Sequence, residues 1–71
     1  MITLERFKHR LARVYLYCSR QHYDETLRTL DYIYEMLQRG KFNQEIVDLF
    51  NDLEFMYLFN DEEWAEDAER I

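Results

Sequence analysis

Proline is absent from this 71-residue sequence, and glycine and cysteine each occur once. Without proline, nothing forces a break inside a helical stretch, so each helix runs until its own caps end it. One glycine cannot build a phosphate-cradling loop, which needs several. One cysteine, Cys18, cannot close an internal disulfide, and that favours a reducing, cytoplasmic setting. The apolar runs are only a few residues long, so no membrane span or signal-type segment is expected. Basic residues are nearly missing from the C-terminal part. Residues 43–71 carry ten acids against Arg70 alone, a local charge of −9.

What is present is apolar residues at helical spacing. Thr3 is placed to cap a first helix, with Glu5 in its first turn. Leu4, Phe7, Leu11, Val14 and Cys18 then recur at three and four, which is the helical period. Arg6, His9, Arg10, Arg13, Tyr17 and Arg20 fall on a separate, basic face. A second helix starts with Asp24 as its cap and buries Leu27, Leu30, Ile33, Tyr34 and Leu37. It ends at Arg39, with Gly40 free to adopt a left-handed conformation. Asn43 caps the third helix, whose stripe is 46, 49, 50, 53, 56 and 57, and Phe42 is placed to staple onto Val47. Phe59, Asn60 and Glu63 repeat the aromatic, cap and capping-box pattern ahead of Trp64.

An internal echo supports these boundaries. Arg20, Tyr23, Asp24, Leu27, Leu30 and Glu35 recur nineteen residues later as Arg39, Phe42, Asn43, Ile46, Leu49 and Glu54. The expected fold is therefore all-α, a single domain over residues 1–71. Antiparallel helical hairpins over about 3–19, 24–39 and 43–59 form a three-helix bundle, followed by a short acidic C-terminal helix over about 61–70. The last helix is too short to stand alone, so Trp64 must dock to hold it.

The chemistry-bearing residue types do not assemble into a reaction centre. Cys18 and His22 make half of a tetrahedral metal site, but no second cysteine completes it. Asp61–Asp67 lacks the alternating oxygens and central glycine of a calcium loop. Ser19, His9 and His22 have no spacing that implies a triad. The expectation is a non-enzymatic protein with no metal and no cofactor.

Two features remain. Large apolar residues fall outside the core stripes: Leu16, the pair Tyr32 and Met36, and the pair Phe55 and Phe59. They point to a partner protein or a homodimer, with Tyr32, Met36, Phe55, Phe59 and Trp64 as contact residues in a regulator, adaptor or inhibitor. Composition of this kind also suits a phage- or plasmid-encoded modulator. The second feature is charge. Residues 1–20 sum to +4 and 43–71 to −9, so nucleic-acid-related action is the alternative. Glu62, Glu63, Glu66 and Asp67 would then imitate a duplex, or Arg6, Arg10 and Arg13 would contact phosphate directly. Asp48, Asp52 and Glu54 would repel phosphates from the third helix, and a net charge of −6 opposes duplex binding by the chain as a whole.

Overall fold

The computed structural model describes residues 2–58. Three α-helices follow one another: α1 over Leu4–Gln21, α2 over Asp24–Gln38 and α3 over Gln44–Leu53. The third continues into a single π-helical turn, Glu54–Leu58. No strand occurs among the described residues. Contacts between the helices fix their directions. Tyr17 meets Tyr23, Tyr15 meets Tyr34 and Phe7 meets Phe42, so positions after α1 rise as positions along α1 fall. That is the signature of an antiparallel pair. Phe7 with Phe50 and Arg10 with Glu54 rise together, so α1 and α3 run parallel.

The caps are local and fall close to expectation. The Thr3 hydroxyl accepts from the Arg6 amide at 3.3 Å, and Asn43 Oδ1 accepts from the Ile46 amide at 3.1 Å. Each satisfies an amide that the first helical turn leaves without a partner. Asp24 is not a cap, however. Tyr23 holds the cap position without a side-chain bond, and Asp24 and Glu25 occupy the first turn, where their charge favours the helix dipole.

The reason lies in how α1 ends. It runs to Gln21, two residues past its expected end, and His22 turns left-handed at φ 60. The Tyr23 amide then reaches back to the Cys18 carbonyl at 3.0 Å, and the His22 amide to Ser19 at 3.3 Å. Tyr23 therefore closes one helix and opens the next. Gly40, at φ 76, terminates α2 with the same pair of bonds, Lys41 to Met36 and Gly40 to Leu37. There the chain has Lys41, Phe42 and Asn43 to spare, so the second connection gains the separate cap that the first lacks. The nineteen-residue echo thus breaks at the cap.

The core holds Phe7, Leu11, Val14 and Cys18 from α1, Leu30 and Ile33 from α2, and Ile46, Val47, Phe50 and Leu53 from α3. Leu27, Tyr34, Leu37 and Leu49 are half-buried against it, and Leu4 is exposed. Phe7 is the hub, with its ring centroid 5.3 Å from Phe42 and 5.2 Å from Phe50. Several residues depart from the helical-wheel reading. Leu4, placed on the α1 stripe, is exposed; Tyr17, grouped with the basic face, is buried, and so are Thr26 and Val47, which no stripe contains.

The largest departure is at the end of α3. An uninterrupted helix would place 56 and 57 on the core stripe after Leu53. The π-turn inserts one residue into that spacing, so Leu58, five after Leu53, becomes a fully buried core residue. Met56 is turned out and is 71 % exposed. The expected fourth helix over 61–70, with Phe59, Trp64, Glu62, Glu63, Glu66 and Asp67, lies outside the described residues.

Candidate interaction surface

The π-turn sets the most exposed apolar side chains of the described chain. Phe55 is 67 % exposed beside Met56, Leu16 on α1 is 58 % exposed and Tyr32 on α2 is 49 % exposed. Met36, expected to share Tyr32's exposure, is half-buried and packs against the core instead.

Helical phase shows how these residues group. On α2, Asp31 and Tyr34 face α1, since both engage Tyr15. Tyr32 and Met36 are displaced from them by 100° or more, on the side turned away from α1. On α3, Phe50 and Glu54 face α1, and Met56 lies two π-helical steps beyond Glu54, again turned from α1. Tyr32, Met36 and Met56 therefore belong to the α2–α3 side of the bundle. Leu16 lies on the outer side of α1, nearly opposite Leu11 and Cys18, and does not join them.

The α1 side is polar and more tightly engaged. Tyr15 packs edge-on against Tyr34 at 5.6 Å. Its hydroxyl donates to the Asp31 carboxylate, and that bond and charge push the phenol above its ordinary pKa of 10.0. Arg10, expected to be an external charged contact, turns inward. Its Nη2 donates to Glu54 Oε1 at 2.5 Å, and its guanidinium sits 5.3 Å from the centre of the Phe50 ring. Burial pushes Glu54 above its ordinary pKa, and the charge and hydrogen bond of Arg10 offset only part of that rise. Arg6 and His9 are exposed and Arg13 is half-buried. Arg10 is thus tied across the bundle to α3, while Arg6 and His9 lie on the exposed outer side of α1.

Glu54 had no distinguishing mark in the sequence beyond being one acid among ten. A signal did exist for Leu58, an apolar residue five after Leu53, but a search at three and four passes over it. Among the described residues no three His, Cys, Asp or Glu side chains group as metal ligands, and no helix is long and apolar enough to cross a membrane. Cys18 is fully buried while His22 is exposed, so the half-site read from their spacing is not brought together.

No family model matches the chain, and no curated protein or solved structure matches it either.

Proposed function

We propose that this protein is a non-enzymatic, homodimeric protein-binding module whose contact surface is the α2–α3 side of the bundle. Tyr32 and Met56 carry the reading, two large apolar side chains on that side that are 49 % and 71 % exposed. Burying such groups favours association by roughly 25 cal/mol per Å² of apolar surface, and tyrosine, methionine and phenylalanine are enriched at the cores of interfaces. π-turns also concentrate at functional sites, because they re-aim side chains without breaking the helix. Here the turn directs Met56 outward and gives its core place to Leu58. A helix over 61–70 belongs to the same reading. So does a cytoplasmic setting, which the lone buried thiol of Cys18 fits.

Direct phosphate contact by α1 is the weaker alternative, since Arg10 is already held by Glu54. Sedimentation equilibrium at tens of micromolar tests the proposal. The expected result is twice the mass of one chain, falling to a single chain in Met56→Ala with Tyr32→Ala while helicity is unchanged. A single-chain mass for the unaltered protein would remove the homodimer.

A further inference from the structure

We propose that residues 59–71 dock in cis along the outer cationic face of α1, so that the chain supplies its own anionic occupant for that face. The proposal does not depend on the α2–α3 contact surface.

Charge gives the first argument. Residues 59–71 carry Asp61, Glu62, Glu63, Glu66, Asp67 and Glu69 against Arg70, a local charge of −5. The whole chain is −6, so residues 1–58 sum to only −1. Within them, the positive charge is gathered on α1. Arg6, His9, Arg13 and Arg20 recur along one side at helical spacing, and Glu5 is the only acid between Leu4 and Gln21. By contrast, residues 44–58 contain no lysine or arginine, so α3 offers the acidic segment only repulsion.

Position gives the second. Phe7 is level with Phe50 and Arg10 with Glu54, so Leu58 is level with Val14 and Tyr15, midway along the α1 row. Leu58 is fully buried and anchors the point where the acidic segment begins. From that level, Arg6 and Arg20 are each within ~13 Å along the helix axis at 1.5 Å per residue. Thirteen residues cover about 20 Å even when fully helical, so the segment reaches the whole row. An open groove lined by Ile2, Glu5, Arg6, His9 and Arg10 continues the same face toward the start of α1.

Tethering decides between occupants. A segment joined at Leu58 meets the α1 face at an effective concentration in the millimolar range. A second copy or a nucleic acid must instead arrive from dilute solution. The cationic face is then engaged before any external phosphate reaches it. The interaction is screened over ~8 Å at physiological ionic strength, so it weakens with salt.

Trp64 is the single tryptophan and reports on the segment within the full chain. Arg6→Glu with Arg20→Glu should shift its emission to the red, raise its quenching by acrylamide and speed amide exchange over 59–71. Circular dichroism should show α1–α3 intact. Adding Glu62→Arg with Glu66→Arg should restore protection, because the charges are exchanged and not lost. If charge reversal unfolds the bundle, Arg6→Gln with Arg20→Gln gives the same direction with a smaller shift. An unchanged Trp64 signal in the reversed or neutralised variants overturns the proposal, as does failure of the exchanged-charge variant to recover. Protection that disappears on dilution, with a dimer mass at the higher concentration, overturns it in favour of a second copy.

Discussion

Leu58→Ala is the sharpest test of the π-turn. In the structure Leu58 is fully buried and Met56 is 71 % exposed, the reverse of what an uninterrupted helix from Leu53 would give. Truncating a buried leucine to alanine costs about 2–5 kcal/mol through lost transfer energy and the cavity left behind. A chain of this length has roughly 4–10 kcal/mol of total stability, so the loss takes a large share of it. With a urea slope near ~1 kcal/mol per molar for so small a protein, the midpoint should fall by about 2 M or more. Met56→Ala, at an exposed position, should cost less than about 0.5 kcal/mol. A third variant makes the argument independent of size. Deleting Met56 leaves Leu58 four residues after Leu53, where an ordinary α-helix carries it on the core face. The deletion should therefore stay within about 1 kcal/mol of the parent, while Leu58→Ala does not. Urea unfolding followed by circular dichroism reads all three. Should Met56→Ala cost as much as Leu58→Ala, or the deletion unfold the protein, the π register would be wrong.

Three further predictions rest on single contacts. His22→Gly should stabilise the protein by up to about 1 kcal/mol, because a left-handed backbone strains any residue with a Cβ and glycine returns part of that gain as chain entropy; His22→Val should do the opposite in the same denaturation assay. Asn43→Ala should cost about 1 kcal/mol, since the Ile46 amide loses its side-chain acceptor. Glu54 sets a pH dependence: burial raises its folded pKa above the ordinary 4.5, so the folded state holds that proton more tightly than the unfolded chain. Its contribution is fully present below 4.5 and is lost as pH rises through the folded value. Glu54→Gln should flatten that fall, and Arg10→Ala should extend it to higher pH by removing the groups that oppose the rise. Urea midpoints measured from pH 4 to 8 would check both, and identical pH profiles for parent and Glu54→Gln would refute the assignment.

How far the fold could be read in advance depended on the range of the interactions involved. Thr3, Asn43 and Gly40 were legible because a cap or a left-handed stop is decided within four residues. The core faces of α1 and α2 were legible because their period is uninterrupted: Leu11, Val14, Leu30 and Ile33 are all buried. His22 escaped because only glycine is commonly read as a helix stop, although histidine is among the residues that tolerate positive φ. Once His22 ended α1, Tyr23 had to serve both helices and Asp24 moved inside α2. The α3 end failed for a different reason. Periodicity weighs Met56 and Leu58 alike, since both are apolar, and one inserted residue exchanges which of the two faces inward. Local pattern cannot decide between those registers; packing against the other helices can.

The candidate surface inherits the same difficulty, because exposure is a property of what lies opposite. Tyr32 and Met36 are four apart on one helix and looked equivalent, yet Tyr32 is 49 % exposed and Met36 packs on the core. Arg10 and Arg6 were likewise one stripe. The four-residue step from one to the other turns Arg10 toward Glu54 and leaves Arg6 in solvent. A helix face read from sequence is about as wide as a neighbouring helix. Its central residues are assigned correctly and its flanks are decided by the neighbour's position. Met36, Arg10 and Tyr17 are all flank residues, and all three moved inward. An interface inferred from surplus apolar residues is therefore best drawn through positions farthest from the core stripe. On α2 that position is Tyr32; Met56, on the α3 stripe by periodicity, is turned out by the π-turn, and the paired truncation is placed at these two.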